Sequence, residues 1–178
     1  MQPSSSLGNA ACAIATGAAA ELELLLSMLG RLEPDDDEVG MAAELTAHAQ
    51  RLGLPLDAGE AQLTAIVVRR GLPLLVTGDK RAIGALARLV GNGPLHASLV
   101  ARLACFEQVL AAIAGMTGEH ELRSRICAEP DVDGAMRLAC SCGAEGWDPA
   151  QLHEACDSFV AAVRAEAGDL LVEGSALA

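Results

Sequence analysis

Acidic side chains in the middle of the chain have the types and spacing that metal-dependent hydrolysis requires. Asp79 comes directly after the short apolar run Leu72–Val76 and the hydroxyl residue Thr77, and Glu60 lies near the start of the helix predicted before that run. Clustered carboxylates with a hydroxyl and water are the ligands of a hard octahedral cation such as Mg²⁺. Such an ion can activate water and hold a phosphodiester. Asp79, Glu60 and Thr77 are therefore candidate site residues.

The same acidic residues also have a structural interpretation. Asp79 precedes Lys80 and Arg81 at the start of a predicted helix, and Asp is a favoured N-cap residue. Glu60 lies in the first turn of its helix, where the helix dipole favours negative charge. The spacing leaves both interpretations open.

A second group of potential ligands lies nearer the C-terminus, where cysteines and a histidine occur within about 30 residues of each other. The group comprises Cys127, Cys140, Cys142, His153 and Cys156. Zinc sites usually show paired cysteines with two to four residues between them, whereas only Ser141 separates Cys140 from Cys142. Buried thiols are the favoured interpretation, and a structural Zn²⁺ site is the alternative.

Short apolar runs predict the strands that would position these residues. Leu72–Val76, bounded by glycines, is typical of a buried parallel strand. Leu103–Phe106 predicts a second strand running into a helix that ends near residue 116, with a single helix as the alternative. Ala10–Ala15 is the weakest candidate. Strands that alternate with helices predict an α/β fold with a parallel sheet.

Helical periodicity and end signals account for most of the remaining chain. The fold class is therefore α/β, with a small parallel sheet flanked by helices in residues 1–116 and a helical C-terminal extension in residues 117–178 that ends in a frayed tail. Helices are predicted over residues 18–32, 35–52, 58–70, 79–90, 119–128, 132–140 and 149–167.

The stretch Asp57–Leu86 resembles the central part of a PIN-domain nuclease. The resemblance lies in Gly59-Glu60-Ala61 at a helix start, in Gly71 before a short apolar strand, and in Thr77-Gly78-Asp79-Lys80-Arg81 at the strand end. The later sequence ARLACFEQVL also resembles the closing strand and helix of that fold.

This resemblance implies a metal-dependent ribonuclease that uses Mg²⁺ or Mn²⁺. Carried over by position, Asp79 and Glu60 match family metal ligands and Asp57 is an accessory ligand, while Lys80 and Arg81, with Thr77, would contact phosphate. The family also has an Asp at the end of its first strand. This chain has no Asp before Asp35, and Asn9 is the closest polar residue at that position.

Composition and charge restrict the function further. The 12 Lys and Arg against 24 Asp and Glu give a net charge of −12, and aromatic residues make up 2% of the chain. A basic nucleic-acid surface and base-stacking aromatic platforms are therefore not expected. The sequence contains neither a long uncharged apolar span nor a basic leader, which predicts a cytoplasmic protein without a membrane partner. The six cysteines are then expected to be reduced, with Cys12, Cys105 and Cys127 as small buried hydrophobes.

Two functions follow as expectations. The first is hydrolysis of RNA phosphodiesters at a shared Asp79–Glu60 site. The second is a catalytically inactive PIN-derived module that binds a protein partner, or a second copy, through its helical C-terminal half. An unrelated helical ligand-binding protein is a third possibility if the first and last predicted strands are helical.

Overall fold

The computed structural model describes residues 19, 20 and 23–177, and the chain divides into two compact units, Met1–Glu33 and Pro34–Ala178. In the first unit, residues 19–20 and 23–28 are helical, within the helix predicted over residues 18–32. Among the described residues of this unit, the large apolar side chains are exposed: Leu24, Leu25, Leu26, Met28, Leu29 and Leu32. The predicted strand Ala10–Ala15 and its neighbour Asn9 lie outside the described residues.

The second unit begins with two helices, α1 (Asp36–Leu52) and α2 (Ala58–Arg70). Asp35 and Glu38 form a capping box at the start of α1, and Gly53 ends this helix in the left-handed conformation that glycine adopts without a steric cost. The two helices pack together, and the buried Glu38 carboxylate receives two hydrogen bonds from Arg70 of α2.

A small parallel sheet follows, as predicted. Strand β1 (Leu75–Thr77) leads into α3 (Lys80–Val90) and the short α4 (Pro94–Ala97), and β2 (Leu103–Cys105) then pairs with β1 in parallel. Strand β1 begins later than predicted because Pro73 lacks a backbone N–H for the ladder. The register places Thr77 opposite Cys105, so the segments after both strands start at the same edge of the sheet.

Helices form most of the C-terminal part. They are α5 (Phe106–Thr117), α6 (Glu119–Ala128), α7 (Gly134–Ala139) and α8 (Pro149–Ala167), followed by 3₁₀ turns at Gly168–Leu170 and Gly174–Leu177. The prediction of a frayed tail is wrong. Leu170, Leu171 and Val172 are buried, and the Val172 N–H donates to the carbonyl of Leu103, which extends the hydrogen bonding of β2.

Two apolar clusters hold these elements. One includes Ile83 and Leu86 of α3, the sheet and the end of α8. The other lies among α5 to α8 and includes Leu122 and Met136. Helix α8 contributes to both clusters. The domain boundary expected between residues 116 and 117 is not tested by this packing and stays a prediction.

The prediction that all cysteines are reduced is wrong for two of them. Cys127, at the end of α6, and Cys142, in the turn after α7, form a disulfide with their Cα atoms 5.3 Å apart. Cys105, Cys140 and Cys156 are free thiols and are buried. Among the described residues, no helix combines the length and apolar character needed to cross a bilayer.

Candidate functional site

The structure brings the predicted acidic residues to the edge of the sheet where β1 ends. Asp57 and Asp79 line one open pocket of about 240 Å³, together with Arg81 and the loop residues before α2. Each of the two aspartates is the N-cap residue of a helix, Asp57 of α2 and Asp79 of α3. The helix starts therefore determine where both carboxylates lie.

Asp57 and Glu60 interact directly. The hydrogen bond between the two carboxyl groups raises the pKa of Glu60 and lowers the pKa of Asp57, and burial and the charge of Asp79 raise the pKa of Glu60 further. Asp57 Oδ1 also accepts the backbone N–H groups of Gly59 and Glu60, at 2.8 and 3.0 Å. Of the two carboxyl groups, Glu60 therefore has its pKa shifted upward and Asp57 downward.

Asp79 is bonded within the chain through both carboxylate oxygens. Its Oδ1 accepts the backbone N–H groups of Arg81 and Ala82 at 2.9 and 3.3 Å, and its Oδ2 lies 3.1 Å from Nη2 of Arg81. The Arg81 side chain holds the pKa of Asp79 below its ordinary value. The Asp79 backbone N–H donates to Thr77 Oγ1 at 3.1 Å, so this hydroxyl stabilises the turn between β1 and α3.

This arrangement does not fit the Mg²⁺ or Mn²⁺ ion that the PIN resemblance implies. A hard cation needs several free oxygen ligands around one point. Here Asp79 is occupied by the helix cap and by Arg81, and the carboxyl groups of Asp57 and Glu60 are hydrogen-bonded to each other. Across residues 19, 20 and 23–177, no group of three or more His, Cys, Asp or Glu side chains is arranged to hold a metal ion.

Lys80, a predicted phosphate contact, pairs instead with Glu107 of α5. Its Nζ forms an ion pair with Glu107 Oε1 and also lies 5.0 Å from the centre of the Phe159 ring. Glu107 is 2% exposed, and its other carboxylate oxygen has no hydrogen-bond partner among residues 19, 20 and 23–177. Sequence analysis missed Glu107, because its approach to Lys80 depends on the parallel pairing of β1 with β2.

The predicted C-terminal ligand group is dispersed. Cys127 and Cys142 are joined to each other, and His153 Nε2 lies 2.9 Å from Glu119 Oε1. Burial raises the pKa of the Cys140 thiol and raises that of Cys156 to about 11. These thiols are therefore poor thiolate ligands at neutral pH, and the set does not match a zinc site.

An apolar groove of about 340 Å³ lies among α5, α6 and α7, and we call it the α5–α7 groove. Its apolar lining consists of Phe106, Leu110, Ile126, Val132 and Met136, and its charged lining of Arg125, Glu129 and Asp133. Val132 is 82% exposed. The groove is formed by the packing of three separate helices, so no local sequence motif predicts it.

Comparison of this chain with protein-family models, with curated proteins and with solved structures finds no match. The similarity of Asp57–Leu86 to PIN domains therefore rests on the motif residues alone. Function has to be argued from the side chains and their surroundings.

Proposed function

We propose that this chain is a non-catalytic interaction module whose α5–α7 groove binds a basic amphipathic segment of a protein partner. The observation that carries the proposal is the groove itself, in which an apolar floor lies beside carboxylates. Grooves of this kind receive the apolar face of a helix, with specificity supplied by charged groups along the edge.

The apolar part of the groove offers side chains that a partner can bury. Leu110 and Met136 are buried at its base, while Phe106 and Val132 reach the surface. Leu138 of α7 is also largely exposed on the same short helix as Met136. A partner that covers these side chains gains the free energy of burying apolar area.

The charge of the groove favours a basic partner. Glu129 and Asp133 line it, and Asp131 lies between them in the chain. Asp133 also caps α7, and Asp131 pairs with Arg137 at 3.8 Å. The basic lining residue, Arg125, is paired with Glu121 through its Nε at 2.8 Å. With a net charge of −12, the whole chain also attracts a cationic partner and speeds its association.

The pocket at the end of β1 supports the non-catalytic part of the proposal. Asp57 and Asp79 both cap helices, and the Arg81 guanidinium supplies the positive charge beside Asp79. These contacts give each aspartate a structural role that needs no substrate.

The second candidate function is that of a ribonuclease that depends on Mg²⁺ or Mn²⁺. It is favoured by one observation: Asp57 and Asp79 line one pocket, and the charge of Asp79 contributes to the raised pKa of Glu60. This function requires Arg81 to move off Asp79 when RNA binds. It predicts Mn²⁺-dependent cleavage of single-stranded RNA that is lost in Asp79→Ala, whereas the interaction module predicts no cleavage by either protein.

Fluorescence anisotropy tests the interaction module directly. The probe is a labelled amphipathic helical peptide of leucine and lysine, and the control peptide replaces each lysine with glutamate. We expect the lysine peptide to bind and the glutamate peptide not to bind. Glu129→Lys should weaken binding by about tenfold, because a rim carboxylate becomes a repulsive charge.

The matched control is Glu154→Lys, which makes the same charge change at an exposed position of α8 outside the groove lining. Its affinity should stay within about twofold of the unmodified chain, which is a change of less than 1 kcal/mol. Equal weakening by both variants would show attraction to net charge alone and would contradict a specific groove.

A further inference from the structure

The Cys127–Cys142 disulfide closes the chain segment that forms one wall of the α5–α7 groove. It joins the end of α6 to the turn after α7, 15 residues later. The closed segment supplies Glu129, Val132, Asp133 and Met136 to the groove lining. We propose that this disulfide is a redox modification site, a latch whose reduction by a small thiol opens the groove wall. The proposal of a latch is argued from the geometry of the segment alone, whereas any effect of the latch on partner binding rests on the proposed function.

Among the described cysteines, the two that form the disulfide are the least buried. Cys127 and Cys142 are half-buried, whereas Cys105, Cys140 and Cys156 are buried thiols. A small reductant can therefore reach the disulfide, while the buried thiols are shielded from exchange. Buried thiols with raised pKa values are also poor nucleophiles, so internal exchange is disfavoured.

Other contacts hold the α7 end of the closed segment more firmly than the end that follows α6, where Asp131 pairs with Arg137 at 3.8 Å and the Val132 N–H donates to the Glu129 carbonyl at 3.2 Å. Arg123 donates from Nε to the Cys140 carbonyl at 2.9 Å and from Nη2 to the Ser141 carbonyl at 3.3 Å. Met136 and Ala139 are buried in the apolar cluster. Residues 129–132, by contrast, form bends and turns, and most of their side chains are exposed. Loss of the disulfide should therefore release mainly the stretch that follows α6.

The chemistry needs only a dithiol reductant. One thiolate of the reductant attacks a sulfur of the disulfide, the S–S bond breaks, and the other cysteine leaves as a thiolate and takes up a proton. The second thiol of the reductant then displaces the first cysteine. Two electrons and two protons pass to Cys127 and Cys142, and the reductant becomes a cyclic disulfide.

Amide hydrogen exchange read by mass spectrometry tests the latch on the full chain. Oxidised and dithiothreitol-treated protein are compared over residues 128–135 and, as an internal reference, over α2. We expect reduction to speed exchange over 128–135 by about tenfold or more and to leave α2 unchanged, because the opening is local. The double variant Cys127→Ser, Cys142→Ser should exchange rapidly with and without dithiothreitol.

Two results would overturn the proposal. One is unchanged exchange over residues 128–135 after reduction of the wild-type chain, a comparison that does not depend on the folding of the variant. The other is a non-reduced digest without a peptide that links Cys127 to Cys142. Both readouts are independent of the peptide probe. If the peptide does not bind the oxidised chain but reduction still speeds exchange, the groove function is refuted and the latch stands.

Discussion

Substitutions of Asp79 separate a structural role of this carboxylate from a catalytic one. In the structure, Asp79 Oδ1 accepts the N–H groups of Arg81 and Ala82 at the start of α3. An asparagine can make the same cap, since Asn and Asp are about equally good N-cap residues. Alanine cannot make it. Asp79→Asn thus removes the charge alone, and Asp79→Ala removes both the charge and the cap.

The expected magnitudes follow from these contacts. Loss of an N-cap costs about 1 kcal/mol. The ion pair with Arg81, whose side chain is 79% exposed, contributes only about 0.5 kcal/mol. In a chain of 178 residues, 1 kcal/mol shifts the melting temperature by roughly 2–4 °C. Asp79→Ala should therefore lower Tm by about 3–6 °C, and Asp79→Asn by about 1–2 °C.

Thermal melts followed by circular dichroism at neutral pH and low salt would measure both variants against the wild-type chain. The same comparison at Asp57, the cap of α2, should give the same order of effects. An Asp79→Asn variant as unstable as Asp79→Ala would refute the capping argument. A higher Tm for Asp79→Asn would show that repulsion between Asp79 and its acidic neighbours outweighs the contacts with Arg81.

Two further predictions concern other charged contacts. The Arg70 hydrogen bonds lower the pKa of the Glu38 carboxyl from 4.5 to about 2, so its contribution to stability is complete above pH 4.5 and is lost as the pH falls towards 2. Wild-type Tm should consequently fall more steeply than that of Glu38→Gln across this range, and parallel curves would contradict the pairing. Arg123→Ala, which loses three hydrogen bonds to carbonyl groups and the stacking on Trp147, should lower the free energy of unfolding by about 2–4 kcal/mol in urea titrations, and Arg123→Lys by less. Equal effects of the two Arg123 substitutions would argue against a role for the guanidinium fork.

Helix ends were predictable because their signals are local. The bounds predicted for α2 agree with the structure, since Asp57 caps its start and Gly71 ends it in the left-handed conformation. Helices α6 and α8 were also predicted correctly. Strand β1 was predicted to begin at Leu72, where the apolar run begins. It begins at Leu75 instead, because Pro73 has no backbone N–H to donate to the sheet.

Features that depend on distant residues were not predictable. The apolar residues 170–172 looked like a frayed tail, and only their pairing with Leu103 explains their burial. The spacing of Cys127 and Cys142 does not reveal that α6 and the turn after α7 approach each other. Glu107 meets Lys80 only through the register of the sheet.

The candidate site was predictable in part, because it depends both on local helix-end signals and on contacts between distant residues. Sequence analysis predicted that Asp57, Glu60 and Asp79 would gather where β1 ends, and it left open whether they serve as caps or as ligands. The contacts of Asp79 with Arg81 and of Asp57 with Glu60 favour the cap interpretation. Whether an aspartate serves as a cap or as a ligand depends on the orientation of its side chain, and the spacing of residues along the chain does not determine that orientation.

Hydrogen-exchange mapping of the bound chain tests the central claim most directly. The full-length protein is measured with and without the leucine and lysine peptide, and separately with Mn²⁺ and single-stranded RNA. The interaction module predicts protection by the peptide over Phe106–Leu110 and residues 126–136, and no protection by Mn²⁺ and RNA around Asp57 and Asp79. Protection confined to the Asp57–Asp79 pocket, in the presence of Mn²⁺ and RNA, would contradict this account and would support a nuclease.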